Sequence, residues 1–401
     1  MRGSREISHA GFIGPHIHLD KTMIVDVVRP NVSGTFQEAI EINLREEERF
    51  KGRQYKERGI CMLKRLKFKL ALLVCLGIGL LLTACATGGR EQKTSAPEQN
   101  KAQKVKMAMI LPGAVEDADY NFLGYQVTKT LQEKLGLETK YQEKVPPAEA
   151  ERVARGFIND GYSIIAFHGG QFVTTVDKLA KQFPDISFIV ETAGPMPELP
   201  KNVWNIGRKY YEGFYVHGVL GALSTRTNKV GVISGFKLPD FTASVNAVKQ
   251  AVSEFNPQAQ VLYTFTGDHN DPVKARQAAE AQINSGVDFI IIILNLGAQG
   301  VIEAAQNKKV LLTTFYTDKT KLAPNNFTTS LLFDFNVPYI RIVNEILRGN
   351  RGGYEEMRPG NGMTLSPIRN VPEDIAKKVN EVFNEVASGK RKIPEVKELK
   401  D

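Results

Sequence analysis

The sequence predicts an α/β protein of two similar lobes, each a parallel sheet covered by helices, with a cleft between them. Three observations carry this. Short apolar runs alternate with amphipathic segments from residue 104 onward, the alternation repeats at a fixed offset, and the loops after the runs mix amides, carboxylates and aromatics with glycines.

The apolar runs lie at 105–111, 163–167, 186–190, 230–234, 261–265 and 289–294, bounded by Gly, Pro or Asp. Segments with helical periodicity lie at 122–135, 148–159, 239–255 and 272–284. Continuous apolar strands separated by helices imply parallel sheets buried on both faces. Lys104-Val105 recurs as Lys229-Val230, and Ile158-Asn-Asp-Gly161 as Ile283-Asn-Ser-Gly286, both 125 positions on. In each copy the first element opens a strand, and the second ends a helix on a glycine suited to a left-handed C-terminus. Two lobes are expected, 105–222 with 318–345 and 223–317 with 346–401. The stretch 202–205 reads as an edge strand, with Trp204 in a structural role.

In open parallel sheets ligands bind beyond the carboxyl ends of the strands. The segments there are 112–122, 168–172, 235–241 and 295–300. Their aromatics and amides suit a pocket that stacks a flat ligand and bonds its edges. Bland readings stand beside these. Asn121 fits a helix N-cap, His168 a satisfied strand-end histidine, Phe172 and Phe241 core positions, and Asp318 a turn former.

The chain of 401 residues has room for two or three domains, with 42% hydrophobic and 24% charged residues. Its formal charge of +8 is concentrated toward the front: residues 1–84 hold 14 Lys and Arg against 9 Asp and Glu. No basic stripe with interleaved aromatics follows, so nucleic acid is not an expected partner. The cysteines are Cys61, Cys75 and Cys85, which leaves the body without a disulfide framework or thiolate metal site. Gly-x-Ser-x-Gly, His-Glu-x-x-His, Walker A and Gly-x-Gly-x-x-Gly are all missing. Neither catalysis nor a cofactor is expected.

The sharpest local signal is an export segment at 62–84. Lys64, Arg65, Lys67 and Lys69 precede an apolar run at 70–82, which is short for a membrane span of about 20 residues. The run ends in Leu82-Thr-Ala-Cys85, which resembles the lipobox of bacterial lipoproteins. That resemblance implies cleavage before Cys85 and a lipid on its sulfur. Residues 85–104 are then the lipidated Cys and a polar tether. Ahead of them, Gly11-Phe-Ile-Gly-Pro-His16-Ile-His18-Leu-Asp-Lys21 resembles the first metal-binding strand of the amidohydrolase superfamily, cytosine deaminases in particular. The later ligands of such a barrel have no counterpart, so residues 1–61 read as a fragment fused ahead of, or misassigned to, a lipoprotein starting at Met62.

From 105 to 401 the chain resembles the basic membrane protein family of ABC-transporter lipoproteins, which have the type I periplasmic-binding-protein fold with Rossmann-like lobes. Asp117-Ala-Asp-Tyr120-Asn121, Ile164-Ile-Ala-Phe-His168-Gly-Gly-Gln171-Phe172, Glu212-Gly-Phe-Tyr-Val-His-Gly218 and Gly297-Ala-Gln-Gly-Val301 carry the resemblance. It implies that Tyr120 and Phe172 stack on a base, that Asn121 and Asp117 bond its edge, and that Asp318 bonds a ribose. His168, Gln171, Phe241 and Asn295 complete the expected ligand set. Where the family usually carries a Lys after Thr-Ser, this chain reads Thr329-Ser-Leu-Leu-Phe333, which makes a free base as plausible as a nucleoside.

The expected function is capture of a purine-type small molecule by a monomer, lipid-anchored on the outer face of the bacterial cytoplasmic membrane, for an ABC permease. The first rival is a membrane-tethered sensor acting on a regulator, and neighbouring permease and ATPase genes would separate the two. The second is a metal-dependent deaminase, which requires residues 1–61 to be retained and metallated.

Overall fold

The structure is a computed structural model and describes residues 105–399. The deaminase-like stretch, the export segment and Cys85 therefore lie outside the described residues. The first sheet is built from β1 (Lys106–Ile110), β2 (Glu138–Gln142), β3 (Ile164–Phe167), β4 (Ser187–Thr192), β5 (Val203–Arg208) and β11 (Gly353–Pro359). The second takes β6 (Lys229–Ser234), β7 (Gln260–Phe265), β8 (Phe289–Ile293), β9 (Leu311–Tyr316), β10 (Phe327–Phe333) and β12 (Gly362–Leu365). Strand order is β2-β1-β3-β4-β5-β11 in one, and the reverse walk β12-β10-β9-β8-β6-β7 in the other, joined through β11 and β12. The two halves thus repeat one winding. Pairing is parallel throughout except between β10 and β12, which run antiparallel.

The helices follow the same plan. In the first half α1 (Tyr120–Leu135), α2 (Pro147–Asn159) and α3 (Val173–Gln182) alternate with strands, and α4 (Tyr210–Ser224) crosses to the second half. There α5 (Pro239–Phe255), α6 (Pro272–Asn284) and α7 (Ala298–Ala305) repeat the pattern. Two more, α8 (Asn336–Leu347) and α9 (Glu373–Ala387), follow. Helices α2 and α6 match the sequence repeat at both ends. Gly161 and Gly286 follow them at φ of 81° and 93°, where a Cβ would be strained. Their N–H groups donate to Ile158 and Ile283 at 3.0 and 2.9 Å.

A second repeat appears only in space. Nδ2 of Asn202 lies 2.9–3.1 Å from the carbonyls of Ala180, Phe183 and Ile186. Nδ2 of Asn326 meets those of Ala305, Lys308 and Val310 at 2.8–3.2 Å. Each amide gathers three carbonyls at and beyond a helix C-terminus just before β5 or β10 begins.

One apolar cluster spans α1, α4, α5 and α9 across both halves; smaller clusters lie beneath α2 with α3 and beneath α6 with α7. Strand pairing corrects the expected lobe boundaries. β10 pairs with β9 and so belongs to the second half, while β11 pairs with β5 and completes the first. The chain therefore crosses between halves three times, through α4, through α8 and at the turn from β11 to β12. The 202–205 stretch is corrected as well: β5 is interior, between β4 and β11. Trp204 is buried there and donates to the Asn350 carbonyl at 3.1 Å.

Candidate functional site

The carboxyl ends of the two sets of strands face one seam. From the first half come Tyr120 at the start of α1, His168 after β3, Glu191 in β4 and Arg208 at the end of β5. From the second come Asn295 after β8, Tyr316 at the end of β9 and Phe333 at the end of β10.

Glu191, with no exposed surface, organises the first-half side. Its Oε2 accepts from the Tyr120 hydroxyl at 2.8 Å and from Arg208 Nη1 at 3.0 Å. Its Oε1 accepts from His168 Nδ1 and, at 3.3 Å, from the Tyr339 hydroxyl. Burial works to raise this carboxyl, yet His168 and Arg208 hold it below its ordinary value. The second His168 nitrogen faces the Tyr120 carbonyl at 2.8 Å. Both ring nitrogens are thus engaged by groups of the framework. Burial, then the Glu191 charge, lifts the Tyr120 phenol well above its usual range, so the hydroxyl stays a donor.

Aromatic rings line the rest. Tyr120 stacks on His168 at 3.9 Å between centroids and meets Tyr316 at 5.2 Å and Phe335 at 5.9 Å. Phe333 lies 5.0 Å from Tyr316 and 5.5 Å from Tyr210. The Tyr316 and Tyr210 hydroxyls share a hydrogen bond of 2.8 Å across the seam. Tyr316 holds a φ of 71°, a costly conformation for a bulky residue that persists only where surroundings impose it. Here they are the Tyr210 bond and a stack on Phe315 at 3.9 Å. The guanidinium of Arg208 sits over the Tyr210 and Tyr120 rings at 5.0 and 5.8 Å.

Polar contacts also bridge the seam. Asp119 accepts from Lys319 Nζ at 2.7 Å and from Thr317 Oγ1 at 3.0 Å. Burial outweighs Lys319 and pushes this carboxyl up to about 6. Asn295 Nδ2 approaches Asp117 at 3.4 Å, while its buried Oδ1 has no partner among the described residues.

The expected site residues divide by environment. Tyr120 and Asn295 stand at the seam with Asp117 and Asn121, but the latter two are committed to framework. Asp117 accepts from the N–H groups of Asp119, Asn121 and Phe122 at 2.9–3.1 Å and from Asn121 Nδ2 at 2.7 Å. The capping group of α1 is thus Asp117, not Asn121, whose Oδ1 holds the Gly113 N–H at 2.9 Å. His168 lies beneath Tyr120, fully buried. Phe172 is buried in the cluster under α2 and α3, against Phe167 at 5.6 Å, away from the seam where Tyr316 meets Tyr120. Phe241 packs on Tyr210 and His269 within the main core. Gln171 is exposed, and Asp318 is an exposed turn former that accepts from the Thr320 N–H at 2.9 Å. Glu191, Arg208, Tyr210 and Tyr316 escaped the sequence reading. For Glu191 and Arg208 a signal was present: charge in a strand buried on both faces is rare unless paired. Among the described residues no group of three His, Cys, Asp or Glu is placed to hold a metal.

Two doubly wound halves with an aromatic seam at their facing strand ends define a bilobal solute-binding protein, not an enzyme. Within that class the chain belongs to the ABC transporter substrate-binding, PnrA-like family, whose model matches residues 104–359. A purine-binding protein of Brucella abortus is 27% identical over 72% of this chain and 82% of its own length. The transcriptional activator protein med of Bacillus subtilis is 22% identical over 77% of this chain and 93% of its own. A solved ABC transporter solute-binding protein from Conexibacter woesei superposes with a TM-score of 0.61 at 24% identity, covering 73% of this chain and 99% of that one.

Proposed function

We propose that the protein captures a purine base or nucleoside outside the cytoplasmic membrane, tethered through a lipid on Cys85, and delivers it to an ABC permease by closing the seam. The observation that carries this reading is the facing pair Tyr120 and Tyr316, one from each half, with the polar edge of Glu191 and Arg208 beside them. Flat rings stack on such a pair, and aromatic stacking on a base is worth about 1–3 kcal/mol. The Brucella relative supports the purine assignment. Among the described residues no helix is long and apolar enough to cross a membrane. Expected contacts are Tyr120, Asn295, Tyr316 and Arg208, with Asp117, Asn121 and His168 holding them in place.

The test is calorimetric titration of the full chain in detergent, unfolded and refolded to strip ligand, against nucleobases and nucleosides. Submicromolar binding of one of them is expected, weakened roughly 5- to 150-fold in Tyr120→Ala. No binding across that panel favours the second reading, a tethered sensor, which the Bacillus activator supports. Cys85→Ala should leave the protein unlipidated and released from, or unprocessed in, the membrane; a variant still lipidated rules out the anchor.

A further inference from the structure

We infer that Arg208 makes the site selective for 6-oxopurines over 6-aminopurines; the inference rests on the purine reading and adds the determinant within it. A guanidinium has two edges that can bind a pair of acceptors. In this protein the hydrogen bonds of Arg208 run from Nη1 alone, to Glu191 and to the Tyr120 hydroxyl, both at 3.0 Å. Its Nε is buried and has no partner among the described residues, on a side chain only 8% exposed. The fork formed by Nε with Nη2 is therefore an unused pair of parallel donors. It is held in place by Glu191 behind it and by the rings of Tyr120 and Tyr210.

An unsatisfied buried donor is costly, and a ligand that supplies the acceptor removes the cost. Two adjacent acceptors fit the fork, and a 6-oxopurine offers them as O6 and N7. A 6-aminopurine turns a donor toward the fork at the same position and leaves one bond unmade. On the facing half, the unpartnered Oδ1 of Asn295 is an acceptor, and a 6-oxopurine also carries ring N–H groups to donate.

The experiment is titration of the full chain in detergent with hypoxanthine, guanine, adenine and 7-deazahypoxanthine, which lacks the N7 acceptor. Hypoxanthine should bind roughly 10- to 100-fold more tightly than adenine, the range a bidentate pair confers. Loss of N7 should remove most of that advantage. Arg208→Lys, which keeps the charge beside Glu191 and loses the fork, should bring the hypoxanthine-to-adenine ratio near one. Equal affinity for adenine, or no effect of removing N7, overturns the selectivity while leaving purine capture intact. Should none of the four bases bind, the same titration with inosine, adenosine and 7-deazainosine decides the selectivity, and failure of those as well overturns both. Should Arg208→Lys not fold, the comparison of the four ligands on the unaltered protein still decides.

Discussion

Two buried residues with opposite demands shape the response to acid. Asp119 is raised from 3.8 to about 6, first by burial. Its contribution is fully present below the unfolded value and is lost as pH rises through about 6. His217, fully buried, is held down from 6.5 to about 3 by burial. Its contribution is present above 6.5 and is lost as pH falls toward 3. Between pH 4 and 6 the two slopes oppose, each at about 1.4 kcal/mol per pH unit. Asp119→Asn should therefore steepen the loss of Tm on acidification across that window, and His217→Gln should flatten or reverse it. Thermal melts at half-unit pH steps check both. Tyr120→Phe deletes the hydroxyl that donates to Glu191 and accepts from Arg208. Urea denaturation should show a loss of about 1–3 kcal/mol, since Glu191 stays buried with one partner fewer. Tyr120 was legible because it sits in a quotable motif. Glu191 and Arg208 gave only the weaker signal of a charge in a buried strand, because their partners arrive from elements far away in the chain.

Individual elements bear the mark of a doubled unit. The helix pair at 147–159 and 272–284 was readable from its glycine ends. The paired amides Asn202 and Asn326 were not, since one polar residue before a strand has no period to betray it. Asn202→Ala and Asn326→Ala should each cost about 1–3 kcal/mol by leaving helix-end carbonyls unmet. The losses should add in the double variant, because the two sites share no partner; chemical denaturation of the three variants tests this. Strands β9 and β10 escaped the sequence reading because threonines break their apolar pattern. Some of those hydroxyls are buried yet satisfied: Thr313 donates to the Thr329 carbonyl at 2.8 Å and Thr328 to that of Leu312 at 2.9 Å, whereas the buried Thr314 hydroxyl has no partner among the described residues. Strand β2 escaped for the opposite reason, being a polar, largely exposed edge.

At the scale of the whole molecule, three crossovers join halves that meet through Asp119, Thr317 and Lys319. The Asp119–Lys319 pair that spans the seam is buried, Lys319 being 11% exposed at its side chain. Lys319→Ala leaves the carboxylate buried and unpaired when the halves are together, which disfavours the closed arrangement. Small-angle scattering at neutral pH should show a larger radius of gyration for this variant than for the parent, and the gap should narrow toward pH 4 as Asp119 takes up a proton.

The return of β11 to the first sheet bears on how the protein is made. Neither half is a continuous stretch of chain, and β5 keeps an open edge until Gly353–Pro359 has been synthesised and can pair with it. A ribosome that has delivered the first 350 residues has finished neither half, so the nascent chain carries raw sheet edges almost to its end. For a polypeptide exported across a membrane while still unfolded, that delay would keep the chain pliant. It also means that a message cut short before β11 yields a sticky fragment instead of a working half.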